Sequence, residues 1–268
     1  MPDRDSARPS ASVILVRDAP AGFEVFMVRR PATASAFADV FVFPGGTVRE
    51  DDVAAQPGDA AFSPDDALAE LTQRGSAPPV SPGRAIALWR AAIRELFEEA
   101  GVLLARDALG QPLRISDAAA PRFATYRGSL QAGQTSLATI LSQERLTVDY
   151  HQLRYFSHWI TPSHLPRRFD TRFFATELPV GQTALHCQIE TTEGIWISPR
   201  DALARADAGQ LGIVFPTRKH LERLAPRSSV DDLLGFAAGK AIRTVQPVLS
   251  RTDGAERIAL EAEVGQCW

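Results

Sequence analysis

The segment Arg94-Glu95-Leu96-Phe97-Glu98-Glu99-Ala100-Gly101-Val102 gathers three carboxylates and a guanidinium within a few residues. At about 100° per residue on a helix, Glu98 and Glu99 fall about 60° and 40° to either side of Glu95. Leu96, Ile93, Ala100 and Phe97 lie between about 100° and 200° away, and Trp89 and Ile86 extend that apolar arc. One side of such a helix is held by packing while the other presents oxygen ligands. Three like charges within one turn repel, and a divalent cation is the simplest compensation. Mg²⁺ in particular takes hard oxygen ligands and keeps waters and substrate phosphates. A solvated helix face with intrahelical pairing to Arg90 and Arg94 is the alternative, and spacing alone leaves both open.

Several elements must position this helix. Ser81 can cap it, Pro82 suits its first turn, and Gly101 can close it after Ala100. Upstream, Ala11 to Val16 and Phe23 to Val28 read as a hairpin, and Val40 to Phe43 as a short strand ended by Pro44-Gly45-Gly46. Paired glycines there permit a tight loop and close ligand approach. Residues 53–81 read as an inserted surface excursion, with a helix started by Ser63, Pro64 and Asp66 and ended by Gly75. Beyond the acidic helix, Val102 to Leu104 is expected as a strand, and 117–143 as helices broken near Gly128 and Gly133. Arg154 to Ile160 and Thr171 to Thr176 are expected as strands joined by 161–170. Ile195 to Ile197 reads as a further strand, and Ser198-Pro199 as the start of a helix to about Ala208. Helices near 217–225 and 229–239 precede expected strands around 241–249 and 257–262.

A formal charge of -3 gives no cationic field for a polyanionic duplex; local clusters such as Arg29-Arg30, Arg167-Arg168 and Arg218-Lys219 suit at most a small phosphorylated ligand. Cys187 and Cys267 form no CxxC pair, so neither a disulfide framework nor a cysteine zinc site is expected. The five histidines form no HExxH pattern, and neither a GxSxG elbow nor a GxxxxGK[ST] loop occurs. No apolar run reaches membrane-spanning length, and a cytoplasmic location is expected.

Residues 94–102 resemble the second half of the Nudix box, with every specified position filled, and Phe43-Pro44-Gly45-Gly46 resembles its glycine entry. The stretch from Gly46 to Arg94 is far longer than the usual box allows, so an insertion splits it. Asp52 stands where the box expects its first-half glutamate, and Glu50 is close enough to compete. The insertion, together with Arg168-Phe169-Asp170-Thr171-Arg172-Phe173-Phe174 and Glu193-Gly194-Ile195-Trp196-Ile197-Ser198-Pro199, is similar to the coenzyme A diphosphatase branch of the superfamily.

The resemblance implies an α/β Nudix fold, a mixed β-sheet sandwiched between helices with inserted and C-terminal helical additions. It is read as one domain over 1–268, with a surface insertion at 53–81 and a C-terminal extension at 223–268. Glu95, Glu98 and Glu99 would hold Mg²⁺ or Mn²⁺, with Glu98, Glu99 and Arg94 as the catalytic set and Arg94 orienting Glu98. Glu50 or Asp52 would supply the first-half acidic residue and Glu193 a distal one; Gly45, Gly46, Arg168 and Arg172 are substrate-binding candidates. The implied activity is metal-dependent hydrolysis of a nucleoside diphosphate linked to another moiety, with coenzyme A or acyl coenzyme A as the expected substrate. NADH, ADP-ribose or a nucleotide sugar is the alternative, as is a catalytically weak nucleotide-binding regulatory protein. Expected partners are a small nucleotide diphosphate and, in a homodimer, a second copy, with no extended nucleic acid and no membrane.

Overall fold

The computed structural model describes residues 7–33, 38–74, 80–187, 191–252, 255–260 and 268. The expected opening hairpin is present as β1 (Arg8–Ala19) and β2 (Gly22–Arg29). On β1, Val13 and Leu15 enter one hydrophobic core while Ile14 and Val16 enter another. A continuous apolar strand is what a sheet covered on both faces requires.

In chain order there follow β3 (Phe41–Val42), β4 (Gly45–Thr47), α1 (Glu50–Val53), α2 (Pro64–Gln73), α3 (Pro82–Ala100), β5 (Ala105–Arg106), α4 (Ala120–Gln131), α5 (Leu137–Glu144), β6 (Thr147–Val148), β7 (Arg154–Ile160), β8 (Phe169–Glu177) and β9 (Glu193–Ile197). The chain continues through α6 (Pro199–Asp207), α7 (Phe215–Leu224), α8 (Val230–Gly239), β10 (Thr244–Val245), β11 (Val248–Thr252) and β12 (Ala255–Ala259). The main sheet runs β10-β7-β8-β1-β2-β3, with β4 also on β1 and β9 also on β2. It is mixed, because β1 is parallel to β8 but antiparallel to β2 and β4. Helix α3 lies in the core on one face, while side chains of α6, α7 and α8 fill the core on the other.

Capping sets the limits of α3. The Ser81 hydroxyl accepts from the Arg84 amide, and Gly101 takes the left-handed conformation at φ 71° that glycine adopts without penalty. Ser63 and Asp66 form a reciprocal capping box on α2. The expected stop at Gly75 lies outside the described residues.

Three local expectations are corrected. Residues 102–104 are not a strand; they carry the buried chain from α3 to β5. Helix α4 runs through Gly128 without a break, and only Gly133, at φ 66°, serves a turn. The insertion is more than a surface excursion, because Phe62, Ala67 and Leu71 are buried in the α3 core. The C-terminal extension likewise builds on the fold: Val230, Leu233 and Ala237 are buried, and β10 extends the sheet edge beside β7.

Candidate active site

Backbone pairing brings the glycine loop to the acidic helix. Gly45 and Gly46 pair with Ser12 and Ala11 of β1. A Cβ on Gly45 would lie 2.5 Å from the Ala11 carbonyl oxygen, and one on Gly46 would lie 2.3 Å from Glu95 Oε1. Gly45 therefore has no room for a side chain against the β1 backbone, and at Gly46 any side chain would have to displace the Glu95 carboxylate. In return the Gly45 amide donates to Glu99 Oε2 at 2.9 Å.

The three glutamates are buried, with exposures of 4% for Glu95, 0% for Glu98 and 4% for Glu99, so the solvated-face alternative is overturned. Helix α3 is buried from Ala85 to Ala100, with α1, α2, β4 and α4 packed on it beside β1. Charges so enclosed need partners. Arg94 supplies them: Nε and Nη2 donate to the two Asp52 oxygens at 2.9 and 2.8 Å, Nη2 also to the Thr47 carbonyl at 2.9 Å, and Nη1 to Glu95 at 2.6 Å and Glu98 at 3.2 Å. The expected Arg94–Glu98 contact is present, but the bidentate partner is Asp52. Arg49 completes the set by donating from Nη1 and Nη2 to the two Glu98 oxygens at 2.7 and 2.9 Å.

These settings determine the electrostatics. Burial, reinforced by the negative charge of Glu95, raises the Glu98 carboxyl to about 7 against the pull of Arg94 and Arg49. Burial by itself would lower the Arg94 pKa, but the bonds to Asp52 and the charges of Glu95, Asp52 and Glu98 outweigh it and raise it.

Helix α4 adds two side chains that sequence spacing did not single out. Arg127 Nε donates to the Glu98 carbonyl at 2.8 Å, and Gln131 Nε2 donates to the same oxygen. This carbonyl belongs to the last turn of α3, where intrahelical donors run out. Arg90, expected as a possible surface partner of the glutamates, instead ties the insertion down through Asp59 at 2.6 Å and the Asp52 and Val53 carbonyls.

The remaining candidates separate. Asp52 is buried inside the network and Glu50 is exposed on α1. Glu193 forms its ion pair with Arg29 at 3.6 Å across the β2–β9 ladder. Arg168 Nε donates to the Thr161 carbonyl at 3.2 Å. Arg172, 1% exposed, is bonded to Asp170, which also meets His158. Burial pushes the His158 pKa down, so the neutral ring donates Nε2–H to Asp170 and accepts at Nδ1 from the Thr244 hydroxyl, 2.8 Å away. Arg172, expected as a substrate-binding candidate, is therefore held in a buried ion pair with Asp170.

As ligands for a divalent cation, the glutamates have the right chemistry: hard oxygens, closely spaced and buried. Among the described residues, however, no three acidic, histidine or cysteine side chains converge as a ready cation cage. The oxygens are instead apportioned between Arg94, Arg49 and the Gly45 amide. A cavity of about 110 Å³ adjoins the network, lined by Arg49, Asp52, Gln56, Arg94, Leu130 and Leu137 among others. A larger one of about 290 Å³, by Phe62, Arg106 and Tyr150, has none of the glutamates in its wall.

A mixed sheet between helices, with an Arg-Glu-x-x-Glu-Glu-x-Gly helix packed against a Gly-Gly strand, defines a hydrolase of the Nudix type, which acts on a nucleoside diphosphate linked to another moiety. The family model described as the NUDT19 Nudix domain matches residues 6–224, and the chain belongs to that family. It is 24% identical over 260 residues to the acyl-coenzyme A diphosphatase NUDT19 of Xenopus laevis, covering 86% of this chain and 68% of that protein. Against the Gallus gallus protein of the same name identity is 27% over 292 residues, with coverages of 92% and 76%. A Nudix hydrolase from Alicyclobacillus acidocaldarius has a similar crystal structure, with TM-score 0.66 and 28% identity over 86% of this chain and 96% of that one. Among the described residues no helix is long and apolar enough to cross a membrane.

Proposed function

We propose that this chain hydrolyses the internal diphosphate of coenzyme A or an acyl coenzyme A with Mg²⁺ or Mn²⁺ held by Glu95, Glu98 and Glu99. The observation that carries the reading is the family match across the split box, joined to relatives named acyl-coenzyme A diphosphatases. A bound cation would offset charge on the phosphate oxygens and acidify the attacking water. The chain's own groups do the rest. Arg94 and Asp52 hold the orientation of Glu95 and Glu98, and Gly45 and Gly46 let β4 lie close against β1 and the Glu95 carboxylate. Water adds to one phosphorus, the bridging P–O bond breaks, and the products are 3′,5′-ADP and 4′-phosphopantetheine or its acylated form.

The test is a metal-supplemented panel of coenzyme A, acyl coenzyme A, NADH, ADP-ribose and nucleotide sugars, with mass analysis of both products. The coenzyme A substrates are expected to be cleaved fastest, and Glu98→Gln or Glu99→Gln to lose nearly all turnover while keeping the fold. Faster cleavage of NADH or a sugar nucleotide, with coenzyme A inert, removes the substrate assignment and leaves the diphosphatase chemistry. Nucleotide binding without metal-dependent products, across the panel, selects a regulatory binding protein.

A further inference from the structure

Two arginines hold the buried Glu98 carboxylate, and their settings differ. The Arg94 side chain is 2% exposed and simultaneously binds Asp52, Glu95 and the Thr47 carbonyl. The Arg49 side chain is 40% exposed and leaves the edge of α1, where the next residues, Glu50 and Asp51, face solvent. Its two terminal nitrogens meet the two oxygens of Glu98, and one of them approaches Glu95 at 3.9 Å. A carboxylate offers about four lone-pair positions. On Glu98, two of them accept from Arg49 and another from Arg94. The group expected to face a divalent cation is already facing a monovalent one.

We propose that Arg49 is a displaceable internal counter-ion: it occupies the cation position at Glu98 and is expelled when a divalent metal binds, setting the metal concentration at which the site fills. The inference rests on the metal-dependent reading of this site. Arg94 stays, because its departure would strand the buried Asp52 carboxylate. Arg49 can leave, because it lies at the solvent edge beside the cavity that Asp51 and Gln56 also line. A bidentate guanidinium–carboxylate pair is strong, but screening at this exposure weakens it. Its displacement should therefore hold metal affinity back by about three- to tenfold.

The test is Mn²⁺ binding to the full chain, followed by electron paramagnetic resonance of the free ion, for wild type, Arg49→Gln, Arg49→Lys and Arg84→Gln. Arg84 is exposed in the first turn of α3 and reports the effect of losing one positive charge elsewhere. Arg49→Gln is expected to bind Mn²⁺ about three- to tenfold tighter, Arg49→Lys to fall between, and Arg84→Gln to match wild type. The Mn²⁺-induced rise in Tm should also be larger in Arg49→Gln, since only the metal-free protein loses the pair. Unchanged or weaker Mn²⁺ binding by Arg49→Gln overturns the inference, and so does an equal gain in Arg84→Gln, which would assign the effect to net charge. If neither wild type nor Arg49→Gln binds Mn²⁺, the metal-dependent reading falls and takes the inference with it; wild-type binding without a gain in Arg49→Gln removes the inference alone.

Discussion

Arg94 shows how one side chain can make a cluster of buried carboxylates tolerable. Its planar fork reaches Asp52 with two nitrogens, and Nη1 bridges Glu95 and Glu98. A lysine ammonium is a point charge on a flexible stem and cannot span these positions together. Arg94→Lys is therefore expected to cost about 3–5 kcal/mol of stability, the range for breaking a buried ion pair, read by urea unfolding of the metal-free chain. Asp52→Asn keeps the shape but removes the charge opposite Nε, so a similar loss is expected. A change within 0.5 kcal/mol, roughly the scatter of surface substitutions, would show that the pair contributes little.

Among elements, β4 is the one whose residue types are most tightly prescribed, since β1 lies against one of its glycines and α3 against the other. The two glycines predict different failures. A methyl on Gly45 meets the backbone of Ala11 and Ser12, which cannot move without breaking the β1–β4 pairing. The atoms nearest a methyl on Gly46 are those of the Glu95 carboxylate, a side-chain end rather than backbone. Gly45→Ala should destabilise the fold by about 1–3 kcal/mol through overpacking. Gly46→Ala should leave a folded protein with Glu95 displaced, and turnover at saturating metal reduced at least about tenfold, a loss of about 1.4 kcal/mol in transition-state stabilisation. Thermal unfolding beside steady-state turnover separates the two; equal effects of both variants on both readouts would contradict the assignment.

Across the whole molecule, buried groups tilt stability with pH in opposite directions, Glu98 one way and His220 and Lys240 the other. Glu98 is raised from 4.5 to about 7, so the folded metal-free chain keeps its proton longer than the unfolded chain does. Its contribution is present below 4.5 and lost as pH rises to about 7. His220 lies under the opposite face, accepting from the Ser157 hydroxyl and donating to the Pro216 carbonyl, and burial lowers it from 6.5 to about 3. Its contribution is present above 6.5 and lost as pH falls toward 3. Burial likewise lowers the Lys240 ammonium from 10.5 to about 7, so its contribution is present above 10.5 and lost as pH falls to about 7. Between about 4.5 and 6.5 the slopes of Glu98 and His220 oppose each other, which predicts a metal-free stability plateau there, a decline below it and a rise above about 7. Urea midpoints measured against pH should show Glu98→Gln turning the plateau into a rise and His220→Gln flattening the acid side. Excess Mn²⁺ should turn the plateau into a rise as well, because a bound cation favours the ionised carboxylate. A plateau that survives in Glu98→Gln would assign the opposing slope to other groups.

What the sequence determined by itself is local. The bounds of α3, the Ser63 and Ser81 caps, the Gly101 terminus and the grouping of Glu95, Glu98 and Glu99 all follow from residues within a turn or two of one another, where propensity and periodicity act. The split of the box was legible too, because both halves keep their own patterns. Apart from Arg94, which the sequence already set one turn from Glu98, the tertiary structure decided who partners the carboxylates and their helix end. Arg49 meets Glu98, Gly45 meets Glu99, and Arg127 and Gln131 meet the Glu98 carbonyl across tens of residues. Those meetings depend on the β1–β4 register and on how α4 lies against α3. The same holds for Asp52: in sequence it is a shortened first-half ligand beside Glu50, and in space it is the bidentate partner of Arg94 while Glu50 faces solvent. A helical pattern specifies which face a side chain occupies, but burial of that face, and hence its charge partners and its pKa, is set by whatever the rest of the chain lays over it.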